Sequence, residues 1–300
     1  YCPRFCSDNP SALIQMRDYL REKGGDSTEL SLNGQEKIGT TWSICKMNML
    51  LHGISHADIR QEDTLREPQH MAENNELKRF DRVVANPPFS QNYIKKDIKF
   101  ASRFPVFMPE KGKKADMMFV QHMLSVLKHN GRLATVMPHG VLFRGGEESE
   151  ARKYIIEQGW LEAIIGLPGN LFYGTGIPAC ILIFRKTKAD DKVLFIDASR
   201  EFKSGKNQNQ LEEGHIAKIV ETYRKRETVD KYAYLASPEE LAENDRRWKV
   251  KFEKAEVVHA EEVSQLQGEL RVSKEETVKV EELVERMVRM EGELEERKGA

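Results

Sequence analysis

No apolar run in these 300 residues approaches the ~18–20 that a helix needs to cross a bilayer. No signal peptide opens the chain either, because residues 1–18 are mixed and polar. Net charge is nearly absent: 47 basic residues face 48 acidic ones, so the whole-chain balance names no partner. Cysteine is scarce, with four residues at 2, 6, 45 and 180. Cys2 and Cys6 are spaced almost as metal ligands are, but no second pair or nearby histidine completes a zinc site, so no metal is expected. Reduced thiols in a cytoplasmic protein are the simpler reading. Glycine, 20 residues in all, is missing from residues 1–12 altogether.

Aromatic residues are plentiful enough for a core, with 13 Phe, 8 Tyr and 3 Trp. The mean hydropathy of −0.60 reflects the very polar last fifty residues. The length allows one large domain, or a domain with an appendage.

The most informative stretch is residues 82–89, RVVANPPF. A short apolar strand stops on Asn86-Pro87-Pro88-Phe89. Two prolines remove two backbone donors and fix φ near −65°, so the strand ends there in a stiff loop. The Asn86 amide and the Phe89 ring are thereby held at the carboxyl end of a strand, which is where open α/β sheets bind ligands.

Around it, helix and strand patterns alternate. Residues 11–23, 40–52, 116–129 and 147–158 read as helices. Residues 30–32, 57–60, 82–85, 132–137, 160–166, 177–185 and 193–196 read as short apolar segments or strands. In 40–52 the expected buried side is Trp42, Ile44, Cys45, Met47, Met49, Leu50 and Leu51. The alternation predicts an α/β fold, a mostly parallel sheet with helices on both faces.

Residues 93–114 form a long basic and aromatic loop with Lys95, Lys96, Lys99 and Arg103 interleaved with Phe100, Phe104 and Phe107. Two readings are open: a solvated surface loop, or a DNA-facing segment whose lysines meet phosphates and whose aromatics cover a base. After residue 197 the chain turns charged and helical. We expect a domain over 1–200, a connecting helical region over 201–252, and a long helix or coiled coil over 253–300. In that last segment apolar residues at 263, 266, 270, 277, 280, 284 and 287 step by three and four. It packs back on its own domain or docks on another chain.

Chemically, Asn86 and Pro87 suit an exocyclic amine. The lone pair of such an amine is delocalised into its ring. Two acceptors, the Asn86 side-chain oxygen and the Pro87 carbonyl, can draw the nitrogen toward sp³ and free that lone pair. Phe89 can stack on a base turned out of a duplex. Positioning and charge stabilisation then suffice, without a nucleophile or a metal. The plainer reading, a rigid turn that merely ends a strand, is weakened by the apolar run before the motif and the aromatic after it.

The NPPF motif after RVVA resembles the catalytic motif of amino-group DNA methyltransferases. The wider text resembles the modification subunit of type I restriction–modification systems over roughly residues 12–200. That text comprises Ala115-Asp116 to Phe119, Asn130-Gly131-Arg132, Met137-Pro138-His139-Gly140-Val141-Leu142-Phe143, Leu167-Pro168, and Asn170 to Pro178. The resemblance implies a Rossmann-like fold, S-adenosylmethionine (SAM) as cosubstrate, and N6 of adenine in DNA as target. It also implies a separate specificity subunit, a second modification subunit and a restriction subunit as partners.

Carried onto this sequence, the resemblance implies catalysis by Asn86, Pro87, Pro88 and Phe89. It puts Glu36, Asp63 and Asn86 at the cosubstrate, with Glu36 accepting from ribose hydroxyls and Asp63 near the adenine. It puts Phe89 and Phe172 at the target base, with Lys95 and Lys96 beside them on the DNA. Phe172 has a core role as its alternative. Asp116 either places the catalytic loop or caps its helix.

One motif departs. The family has a glycine-rich Asp-Pro-Ala-(Cys or Phe)-Gly-Ser-Gly-Gly turn after its first strand, and here residues 1–12 (YCPRFCSDNPSA) have no glycine. Side chains on Arg4, Phe5 and Asn9 occupy places where glycine permits close approach and positive φ. The expectation is that SAM binding is weak or lost, and that the family's preceding helical domain and the first, central strand of the sheet are both absent. The chain reads as a fragment or as the product of a damaged or differently started reading frame. The competing function is therefore a catalytically impaired assembly piece for the specificity subunit. Methylation of a protein glutamine amide, a third option sharing Asn-Pro-Pro, is disfavoured by the text after Gly131.

Overall fold

The computed structural model describes residues 4–7, 10–27, 30–112, 114–172 and 176–243, with backbone alone for 4–7, 10, 11, 242 and 243. The segment expected to be a coiled coil, 253–300, lies outside the described residues, as do Cys2, Asn9 and Lys113. Two compact units divide the chain, Tyr1–Asp245 and Arg246–Ala300.

The first unit is built on one nine-stranded sheet. Its strands are β1 (Arg4–Ser7), β2 (Ser31–Glu36), β3 (Asp58–Gln61), β4 (Phe80–Ala85), β5 (Leu127–Pro138), β6 (Leu161–Gly166), β7 (Ala179–Arg185), β8 (Val193–Asp197) and β9 (Ala233–Ala236). The helices are α1 (Pro10–Glu22), α2 (Gly39–Leu51), α3 (Asp116–Ser125), α4 (Glu147–Glu157), α5 (Glu213–Lys225) and α6 (Pro238–Glu243). The spatial order is β3-β2-β1-β4-β5-β7-β6-β8-β9. Pairing is parallel from β3 through to β5 and again between β6 and β8, while β7 and β9 run antiparallel to their neighbours.

The first, central strand is present, contrary to expectation. Residues 4–7 run between β2 and β4, with Phe5 opposite both Leu32 and Arg82. The glycine-free sequence hid it, because a four-residue strand owes its conformation to two flanking partners more than to its own propensity. The chain therefore reverses its direction of travel across the sheet between β1 and β4. Such a switch point opens a crevice at the carboxyl ends of the strands.

Strand residues alternate between faces. On β4, Val83, Val84 and Ala85 line a cavity with Phe119, His122 and Met123 of α3, and Val84 also borders a second cavity with Ala12, Gln15 and Met16 of α1. Leu13 packs with Leu32, Cys45, Met49 and Ile59, so α1 and α2 share a face. The register Val84–Ala134–Ile183 carries that face across to Ile219 of α5. Helices thus cover both faces.

Two expectations need revision. On α2, Cys45 and Met49 are buried, but Ile44, Met47, Leu50 and Leu51 are exposed. Apolar residues occur on both sides of this helix, so periodicity could not choose the inner one. The sheet also continues past residue 200. Strand β9 pairs with β8 from Val193–Ala236 to Ile196–Ala233, and α5 packs on the core, so 201–243 is more than a connector.

Candidate functional site

At the end of β4, Asn86 and Pro88 are exposed, Pro87 is buried and Phe89 is half-buried. The loop then turns sharply, since Ser90 has a φ of 54°. An open cleft of about 400 Å³ lies here, lined by Asn86, Pro87, Pro88, Phe89, Arg144 and Phe172, among others. The Phe89 and Phe172 rings meet edge to face, 6.2 Å between centroids and 76° between planes. Both also pack on the core cluster that includes Ile165 and Ile183. Phe172 packs on the core, as its alternative reading expects, and also lines the cleft.

What fixes this loop is Asp116. Its Oδ1 accepts a hydrogen bond from the Ser90 backbone amide at 2.8 Å, and its Oδ2 lies 3.1 Å from Arg144 Nη1. The N-cap of α3 is Ala115, so Asp116 does not cap its helix; it ties the loop that follows β4. Its side chain is 1% exposed, and only Arg144 and the donated amide make such burial tolerable. Arg144 Nη1 also reaches Glu148 Oε1 at 3.4 Å. Glu148 is fully buried, and that burial pushes its carboxyl up from the usual range despite Arg144. Arg144 and Glu148 escaped sequence reasoning. Their only signal was the text near Met137–Phe143 that resembles the family.

The two cosubstrate candidates stand at the carboxyl ends of neighbouring strands. Glu36 closes β2 and accepts from the Ile38 amide at 2.7 Å. Asp63 follows β3; its Oδ1 accepts from the amides of Leu65 (3.0 Å) and Arg66 (3.3 Å), and its Oδ2 pairs with Lys37 at 2.8 Å. The Asp63 side chain remains 26% exposed.

The loop that carries Asp63 is clamped from two sides by residues that sequence reasoning missed or misassigned. Gln35 donates to the Glu62 and Glu67 carbonyls at 3.0 and 2.9 Å and accepts from the Gln69 amide at 2.9 Å. Arg103 donates to the Thr64 carbonyl at 2.9 Å and to the Leu65 carbonyl. Arg103 was expected among the DNA-facing basic residues, but it is buried, and burial brings its pKa down to about 10. It also donates to His122 Nδ1 at 2.5 Å, which requires that nitrogen to be an unprotonated acceptor.

The rest of the 93–114 loop is packed rather than free. Phe104 is buried and unavailable to cover a base, and Gln121 brackets Val106 with bonds of 3.0 and 2.8 Å. Lys95 and Lys96 are exposed, with Lys95 Nζ 4.3 Å from the centroid of Phe107. Lys99 is held by Glu67 at 2.5 Å. A small apolar pocket of about 60 Å³ lies between the Asp63 loop and β4, bounded by Thr64, Pro68, Ala85, Pro87 and Phe119.

These residues fit the nucleoside part of a SAM-like donor: half-exposed carboxylate acceptors after β2 and β3, beside apolar surface at the end of β4. Residues 8 and 9, between β1 and α1, lie outside the described set. Among the described residues, no helix is long and apolar enough to cross a membrane.

The family model for N-6 DNA methylases matches residues 5–262. The chain is similar to the type I restriction enzyme MpnII methylase subunit of Mycoplasma pneumoniae, with 33% identity over 249 residues, 78% of this chain and 45% of that protein. It is also similar to the solved methyltransferase subunit of a type I restriction–modification system from Streptococcus thermophilus. There the identity is 38% and the TM-score 0.74, over 81% of this chain and 52% of that one. A protein from Listeria monocytogenes described as a class I S-adenosylmethionine-dependent methyltransferase shares the fold, with a TM-score of 0.51 at 17% identity over 74% of this chain and 63% of that one. The fold is thus that of the S-adenosylmethionine-dependent methyltransferases. The chain spans about half the length of the relatives it matches.

Proposed function

The chain belongs to the N-6 DNA methylase family, and from that premise we propose that it is the catalytic part of a type I modification subunit that methylates adenine N6 in DNA. The observation that carries the proposal is the exposed Asn86 amide at the end of β4, beside the Phe89–Phe172 pair and on a loop tied down by Asp116. SAM, when bound, supplies an electrophilic methyl on a positively charged sulfur. Glu36 and Asp63 hold its ribose and adenine. The Asn86 side-chain oxygen and the Pro87 carbonyl accept the two hydrogens of the target amine and stabilise the positive charge that grows on nitrogen as it attacks. Phe89 and Phe172 offer an aromatic surface to a base rotated out of the stack. Exposed Lys95 and Lys96 meet phosphates.

The complex in which this happens includes a specificity subunit that reads the target sequence, a second modification subunit, and a restriction subunit. The competing assembly-only role draws on the glycine-free residues 1–12, but the family match and the tied catalytic loop favour catalysis. The deciding experiment follows methyl transfer from labelled SAM, at millimolar concentration, to amplified and hence unmethylated genomic DNA with the specificity subunit present. Incorporation at adenine N6 that Asn86→Ala abolishes is the expected result. Co-purification with the specificity subunit but no incorporation would establish the assembly role instead.

A further inference from the structure

We propose that Arg144 is a positioning residue for the catalytic loop: clamped by Glu148 and seated over Gly140, it holds Asp116 in the orientation that fixes the Ser90 amide and hence Asn86-Pro87-Pro88-Phe89. The inference rests on the reading of this cleft as the methylation site, but one of its two readouts does not.

Three observations carry it. Arg144 Nη1 touches both carboxylates, Asp116 Oδ2 at 3.1 Å and Glu148 Oε1 at 3.4 Å, and it lines the same cleft as Asn86. The guanidinium lies flat against Gly140: a Cβ there would stand 2.5 Å from Nε and 2.6 Å from Cζ and Nη2. The backbone of Arg144 is fixed as well, its amide donating to the Gly140 carbonyl at 3.0 Å and its carbonyl accepting from Arg152 Nη2 at 2.7 Å. The loop needs such an anchor because Ser90 takes a left-handed conformation that a non-glycine residue adopts only when its surroundings impose it. Without Arg144, Asp116 is a buried anion with one backbone donor. It then gains by turning toward water, and the Ser90 amide loses its acceptor.

Arg144→Ala tests this directly but leaves two buried carboxylates uncompensated, so it can fail to fold. Gly140→Ala keeps every charge and displaces only the guanidinium, and Arg144→Lys keeps the charge without the planar head. Backbone hydrogen exchange reads the loop independently of activity. The Ser90 amide should exchange at least tenfold faster in Gly140→Ala, while amides of the β4 interior keep their wild-type rates. In the methyl-transfer assay with the specificity subunit, kcat should fall on the order of 10²-fold, as misplacement by about an ångström does. KM for SAM should stay within threefold, and Arg144→Lys should recover part of kcat. Wild-type exchange at Ser90 in Gly140→Ala, or a loss expressed in KM for SAM with kcat intact, would overturn the proposal. If the wild-type complex transfers no methyl group, the functional reading fails, and the exchange rates alone decide the positioning role.

Discussion

At the end of β4 the candidate catalytic loop is tied through its own backbone to a carboxylate nearly out of contact with water, which a part-exposed arginine links to a second buried carboxylate. The tie runs from the Ser90 amide to Asp116, then Arg144, then Glu148, across 26 and 28 residues of sequence. At the ends of β2 and β3 the carboxylates stand partly in water instead, and they accept from amides close by in sequence, Glu36 from Ile38 and Asp63 from Leu65 and Arg66, while the exposed Lys37 pairs with Asp63 at 2.8 Å. A group that stabilises charge developing in a transition state gains from being immobile, because no reorganisation is then needed during the reaction. Groups that recruit a cosubstrate must exchange water for ligand hydroxyls, and partial exposure keeps that exchange inexpensive. The two edges of one crevice are therefore stiffened by different means, and each can be broken separately.

The largest effect belongs to the rigid edge. Asn86→Ala removes one of the two acceptors proposed for the target amine, and methyl transfer is expected to fall about 10²–10³-fold. The thermal unfolding midpoint should move little, because Asn86 is exposed, so the loss is not one of folding. A loss below fivefold would place the chemistry elsewhere.

The cosubstrate edge gives the next effect. Residues 1–12 contain no glycine, the residue type that best lets backbone come close to the methionine end of SAM. Calorimetric titration of the chain with SAM should give a Kd in the millimolar range, about 4 kcal/mol of binding free energy. Micromolar binding would show that this turn does not depend on glycine.

How far each edge could be read in the sequence follows from how it is held. NPPF was legible because proline, an apolar run and an aromatic act within eight residues. Glu36 and Asp63 were singled out through the family resemblance, and the structure puts one at the end of β2 and the other just after β3. The clamps were not. Arg103 looked like one more surface cation of a basic loop, and only the fold brings it to the carbonyls of Thr64 and Leu65. Gln35 reads as an ordinary polar residue next to Glu36 until the 62–69 loop folds around it. Strands β1 and β9 were missed for the same reason. RFCS and AYLA are four residues long, and pairing with sequence-distant partners makes them strands.

The basic loop joins the two edges and offers a smaller test. Lys95 and Lys96 are exposed, whereas Lys99 is engaged by Glu67. Replacing Lys95 and Lys96 together by Ala should lower the salt dependence of DNA binding by about 1.8 in log–log slope, roughly 0.9 per phosphate contact. Adding Lys99→Ala should change it little further. If the third substitution counts as much as the others, the Glu67 pair opens on DNA. If none changes the slope, the loop does not face phosphates.

The smallest effect separates the two edges by pH. His122 lies beneath the β4 loop and His70 beneath the β2–β3 end, and both are buried. Burial lowers the pKa of each. For His122 the neighbouring Arg103 lowers it further, to well below the ordinary value, whereas at His70 the Gly34 carbonyl and Asp58 pull the other way. A base whose folded pKa is depressed stays neutral in the fold but takes up a proton in the unfolded chain below ~6.5. The unfolded state then binds more protons, so stability is lost as pH falls through that window, by up to about 1.4 kcal/mol per pH unit for each such group. At His70 the window closes sooner, because Asp58 Oδ2, 3.5 Å from Nδ1, supports the charged ring. Urea unfolding at pH 7.5, 6.5 and 5.5 should therefore show a steeper acid loss from His122 than from His70. His122→Asn keeps an acceptor near Nδ1 for Arg103 and should flatten the pH dependence clearly. His70→Gln keeps a donor for the Gly34 carbonyl and should flatten it less. Equal flattening would mean that Arg103 is not felt at His122, and that the β4 edge is no more strongly tied by charge than its neighbour.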